Sequence, residues 1–97
     1  MTESTATREV GVHLQESGDD TRLLVAAIEA DNPQADVSYL PGIVSIKTPG
    51  KLTIRRESVE AKLGREWETH EFQLAIISYL GHIGTWDDDE IVISWDH

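Results

Sequence analysis

The chain contains no cysteine. That single absence excludes disulfides, thiolate metal sites, iron–sulfur clusters and cysteine nucleophiles. Basic residues are scarce as well: eight Lys and Arg stand against eighteen Asp and Glu, a formal charge of −10 in 97 residues. Phosphate contacts need clustered cations, so this balance argues against nucleic acid and against an anionic membrane surface as partners. It favours solubility and a basic or mixed protein partner. No apolar run approaches the ~20 residues of a membrane span. The polar start "MTESTATREV" lacks the apolar centre of a signal peptide, so a cytoplasmic protein is expected.

Sites for chemistry are missing too. There is no Gly-rich phosphate loop, no GxSxG elbow and no HExxH. His13, His70, His82 and His97 have no zinc spacing, and Glu68 and His70 are not the Glu-x-x-His of a di-iron helix. The run Asp87–Glu90 lacks the spaced oxygens and glycine of a calcium loop and reads as a solvated turn. The expectation is a chain without metal, cofactor or catalytic residues.

What is present suffices for one domain with a modest core, since 39% of the residues are hydrophobic. Residues 1–8 are polar and read as a flexible tail, with the domain spanning 9–97. In "VGVHLQ", Val10, Val12 and Leu14 alternate as a half-buried strand. In "SGDDTRLLVAAIEADNP", Ser17, Asp19 and Asp20 suit a helix start. Leu24, Ala27 and Ile28 form its stripe with Leu23 beside it, and Asn32-Pro33 ends it. "ADVSYL", "GIVSIKT" and "KLTIRR" read as strands parted by Pro41-Gly42 and Pro49-Gly50. Proline there excludes the primed turns, so looser pairing than a minimal hairpin is expected. "ESVEAKLG" reads as a short helix closed by Gly64, "HEFQLAI" as a strand and "IVISW" as the last strand. The order is β-α-β-β-β-α-β-β-β: an α+β domain with two helices packed on a largely antiparallel sheet.

Two features remain. Lys47, Lys51, Arg55, Arg56, Lys62 and Arg65 are six of the eight basic residues and fall within nineteen positions. They either balance neighbouring glutamates or form a docking patch. "LAIISYLGHIG" is the least polar stretch, yet Gly81 and Gly84 interrupt it. Glycines in a strand mark bulges, a bend or a close approach. Periodicity leaves this stretch equally readable as core and as partner surface.

In order and spacing, "IEADNPQADV", "VSIKTPGKLTIRRESVEAKLGREW" and "IISYLGHIGTWDDDEIVISW" resemble the regulatory (coupling, or effector) proteins of bacterial multicomponent di-iron monooxygenases, above all the phenol hydroxylase branch. The resemblance covers about residues 10–95. It implies a cofactor-free, non-catalytic subunit in aromatic hydrocarbon catabolism. Such a subunit docks on the di-iron hydroxylase, tunes oxygen activation and substrate access, and couples NADH use, through an NADH-dependent reductase, to hydroxylation. By motif position it implies partner contacts at Asn32, Ile77, Ser78, Tyr79, Gly81 and His82. The alternatives are the same role in a propane, toluene or alkene system, or an acidic adaptor or inhibitor.

Overall fold

A computed structural model describes residues 8–95. Most of the expected tail, and His97, lie outside the described residues. Arg8 lies inside them: its carbonyl accepts the Gly50 N–H at 2.8 Å, and its guanidinium sits 4.1 Å from the centre of the Trp95 ring.

The elements are β1 (Glu9–Gln15), α1 (Asp19–Asp31), β2 (Asp36–Leu40), β3 (Ile43–Pro49), β4 (Lys51–Arg55), α2 (Arg56–Leu63), a 3-10 turn (Thr69–Glu71), α3 (Phe72–Ala75), β5 (Ile76–Leu80), β6 (His82–Trp86) and β7 (Glu90–Ser94). The strands form two antiparallel sheets, ordered β2-β3-β1-β5 and β4-β7-β6. The expected order of strands and main helices is present. The expected single sheet is divided in two, with β3 passing into β4 through Pro49-Gly50 and β5 into β6 through Gly81.

Alternation puts Val10, Val12, Leu14, Val44 and Ile46 of the first sheet, and Leu52, Ile54, Ile91 and Ile93 of the second, into one core. Helix α1 closes it with Leu24, Val25, Ala27 and Ile28 and packs on α2 and β4. The stripe runs through Val25 rather than Leu23, which is 37% exposed. Asn32 ends α1 and is itself buried. Its Nδ2 donates to the Ile28 and Thr53 carbonyls, each at 2.7 Å, and its Oδ1 accepts the Thr53 N–H at 3.0 Å. Thr53 lies on β4, whose other edge faces β7. The asparagine amide therefore acts as a one-residue strand partner, closing the free edge of β4.

Two expectations need correcting. The Pro41-Gly42 connection is a minimal one: Leu40 pairs directly with Ile43, and Gly42 has φ 76°. A type II turn takes proline first and a positive-φ glycine second, so proline excludes primed turns without loosening the hairpin. The segment "HEFQLAI" is not a strand until Ile76. A reciprocal capping box between Glu68 and Glu71, with the Glu68 N–H bonded to Glu71 Oε2 at 3.0 Å, starts a helical turn instead. Phe72 is then fully buried, edge-on to Trp86 at 6.2 Å, while Leu74 is 82% exposed. An alternating strand would have put both on one face.

The acidic turn is architectural, and so are two of the six residues of the basic cluster, Arg56 and Arg65. Asp87 Oδ1 accepts the N–H groups of Asp89 and Glu90, each at 2.9 Å, and closes the β6–β7 connection. Glu60 Oε2 accepts the Trp67 N–H at 2.8 Å and Arg56 Nε at 3.2 Å. The Trp67 N–H first, and then Arg56, hold the Glu60 carboxyl below its ordinary range. Arg65 bridges Asp20 at 3.1 Å and Glu71 at 3.6 Å. Lys47, Lys51, Arg55 and Lys62 form no ion pair among the described residues.

Candidate docking surface

Among the described residues, strand β5 lies at the edge of the four-stranded sheet and pairs only with β1. Its register explains its exposure. Leu14 faces Ile76, but His13 faces Ser78, so Ile77 is an extra residue in a bulge. The bulge swings Ile77 out to 53% exposure, while Ile76 still packs on the core. Beyond it, Tyr79 pairs with Val12 and Leu80 with Gly11, and these two side chains are 51% and 47% exposed. An isolated exposed apolar residue needs no explanation; three on one five-residue strand give it an exposed apolar edge, with Tyr79 on the side of Val12 and Leu80 on the side of Gly11.

The outer face of this sheet turns away from the core cluster. Across it run two rows in register: Ser38, Ser45, His13 and Ser78, then Asp36, Lys47, Gly11 and Leu80. Ser78 Oγ and His13 Nδ1 lie 3.2 Å apart, tying β5 to β1 on the surface. A Cβ on Gly11 would lie 2.6 Å from the Ile46 carbonyl and 3.1 Å from Lys47 Cγ. Glycine is therefore needed where the lysine stem folds over the strand. Gly11, Val12, His13, Lys47, Ser78, Tyr79 and Leu80 line a cleft of about 240 Å³ there.

The six residues singled out by motif position thus divide. Ile77, Ser78 and Tyr79 sit on the exposed edge strand, and His82 follows on β6, also exposed. Gly81, with φ 129°, is the corner between the sheets. A Cβ on it would meet Ile93 Cγ2 at 2.8 Å and Val10 Cγ1 at 3.0 Å, so its close neighbours are core side chains of this chain. Asn32 is 8% exposed and committed to β4, away from this strand. At Gly84 the β6 register shifts, the bulge expected of a strand glycine.

Leu80, Gly11 and His13 were not singled out as site residues, and Lys47 was named only as one of six cations that could form a docking patch. The quoted motif contains Leu80, but only the pairing of β5 with β1 and β3 reveals its neighbours. No group of three His, Asp or Glu able to hold a metal occurs among the described residues. Among the same residues, no helix is long and apolar enough to cross a membrane.

Comparison with known proteins identifies the family. The profile of the MmoB/DmpM family matches residues 8–94. The stimulatory component DmpM of phenol 2-monooxygenase from Pseudomonas sp. (strain CF600) is 39% identical over 80 residues, 82% of this chain and 88% of that protein. A chain in the structure of a phenol hydroxylase–regulatory protein complex superposes with TM-score 0.84 at 35% identity, covering 92% of this chain and all of its own length. The soluble methane monooxygenase regulatory protein B shares the fold, with TM-score 0.67 at 20% identity, and this chain spans 65% of its length. With nearly its whole described length matched, the chain belongs to the MmoB/DmpM family.

Proposed function

We propose that this chain is the regulatory component of a multicomponent di-iron monooxygenase of the phenol hydroxylase type. It binds the hydroxylase and raises the share of NADH spent on product. One observation carries the reading: the chain matches, over its folded length, a protein whose solved structure is a complex of phenol hydroxylase with its regulatory protein. Identity to the phenol relatives, 39% and 35%, against 20% for the methane protein, favours the phenol branch.

No group of His, Asp or Glu able to hold a metal occurs among the described residues. The chain's effect on the reaction would be exerted through the hydroxylase: a ligand that binds one conformation better shifts the hydroxylase toward it. In that reading the β5 edge, with Ile77, Ser78, Tyr79 and the adjoining His82, meets the hydroxylase. Gly81 and Asn32 hold the shape that presents them. The docking unit begins at Arg8, which is tied to Gly50 and Trp95, and the complex works in the cytoplasm with an NADH-dependent reductase.

The test is a reconstitution. The purified chain is titrated into its cognate hydroxylase and reductase, and product formed per NADH consumed is measured. A saturable rise supports the proposal. An unchanged ratio, with no binding to the hydroxylase, refutes it. Tight binding to a strongly basic protein with a steep salt dependence would point to an acidic adaptor instead.

A further inference from the structure

We infer that the cleft over Gly11 is the socket for one helix of the hydroxylase, which places an apolar side chain between Lys47 and Leu80 and a carboxylate against the Lys47 ammonium. The inference rests on the docking role proposed above and names its central contact.

The cleft is the wrong size for a small molecule. Its volume of about 240 Å³ lies below the roughly 300–1,000 Å³ of ligand pockets, and it is open to the surface. It suits a protruding side chain. Lys47, Gly11 and Leu80 stand in one row on β3, β1 and β5, so the walls are two strand spacings apart, about 10 Å. With the walls' own side chains included in that spacing, the gap admits one side chain of a helix lying across its mouth. The Leu80 wall is apolar, and the lysine stem offers a second apolar wall tipped with charge.

Lys47 supplies the electrostatic half of the argument. Asp36 stands directly opposite it on β2, in a chain of net charge −10, yet no ion pair forms between them within 4.0 Å. The lysine turns the other way. Its Cγ lies over Gly11, 3.1 Å from where a side chain would begin, and the residue lines the cleft. Gly11 thus does two things: it opens the socket, and it leaves room for the lysine stem to lie over β1. A helix that presents an apolar residue with an Asp or Glu three or four positions away puts both on one face, about 5–6 Å apart between Cβ atoms. That pairing complements both walls at once. The cleft adjoins Ser78 and Tyr79, so it is continuous with the edge strand proposed to meet the hydroxylase.

The test measures hydroxylase affinity and product per NADH for four variants beside the wild type, each checked by a thermal melt. Lys47→Glu reverses the charge, and Ser78→Phe plugs the cleft from its β5 rim. Each should weaken binding about tenfold or more, as losses at a central anchor do. Lys62→Glu on α2 and Ser38→Phe on β2 make the same chemical changes outside the cleft and should stay within about twofold. Should Ser78→Phe fail to fold, Leu80→Ala, which removes a wall and adds no bulk, takes its place with the same expectation. Wild-type affinity for Lys47→Glu and for the cleft variant, with coupling intact, would overturn the socket and leave the regulatory reading standing. A wild-type chain that neither binds the hydroxylase nor changes the ratio would overturn both.

Discussion

Strands β1 and β5 lie side by side in one sheet, and both are apolar, yet they serve opposite ends. Val10, Val12 and Leu14 of β1 are at most 2% exposed, whereas Ile77, Tyr79 and Leu80 of β5 are each about half exposed. Composition does not separate them. Position does: β1 is paired on both sides, by β3 and β5, and its inner face meets the core, while β5 is an edge displaced by a bulge. The glycines near them differ in the same way. Gly11 opens the outer face, and Gly81 is pinned between Val10 and Ile93. Folding and docking are thus separate tasks of neighbouring residues, and mutations should separate them.

The largest effect is expected at Gly81. Gly81→Val adds a side chain at φ 129° against two core residues. Strain of roughly 1–3 kcal/mol and overpacking of roughly 1–3 kcal/mol together remove about 2–6 kcal/mol in a urea melt. A variant that melts normally but docks poorly would make Gly81 part of the interface rather than the fold. Next comes a matched pair of truncations. Leu14→Ala should cost about 2–5 kcal/mol of stability. Leu80→Ala should stay within about 1 kcal/mol, as surface changes do. Equal losses would erase the distinction between the two strands.

Asn32→Ala should cost about 2–3 kcal/mol, because it leaves the Thr53 N–H and carbonyl without their partner at the edge of β4. The loss should appear in stability and not in hydroxylase affinity measured on the folded fraction. Tyr79→Ala should do the reverse, lowering stability by less than about 1 kcal/mol and binding by about 1–3 kcal/mol.

The smallest effect concerns pH. The Trp67 N–H and Arg56 depress the Glu60 carboxyl in the folded chain, below an ordinary value of 4.5. Its stabilisation is therefore complete above that value and is lost as pH falls through the depressed one. Glu60→Gln should flatten the acid limb of a stability–pH curve below pH ~5 and leave its shape near neutrality unchanged. An unaltered acid limb would show that this contact does not report on the fold.

Much of this division was legible in the residues. The alternation of β1, the Pro33 stop of α1 and the Gly64 cap follow from local rules that act within a few positions. The turn at Thr69–Ala75 was not, because its capping box begins with Glu68 in place of the usual Ser or Thr, and the Phe72, Leu74 and Ile76 alternation imitates a strand. Nor was the surface. Ile77 is exposed because of a bulge, and Lys47 reaches the cleft because Gly11 lies beside it in the sheet; both depend on pairing between strands distant in sequence. Asn32 and Gly81 could be picked out by motif position, but their packing alone reveals that they hold the fold.

The most direct measurement compares the two edges of the four-stranded sheet by amide hydrogen exchange, with and without the cognate hydroxylase. Both edges carry exposed apolar side chains, Tyr39 and Leu40 on β2 and Ile77, Tyr79 and Leu80 on β5. Docking at β5 predicts slowed exchange over residues 76–80 and 11–13 in the complex, with residues 36–40 exchanging as they do in the free chain. Protection confined to residues 36–40, with β5 unchanged, would contradict the assignment of the docking surface.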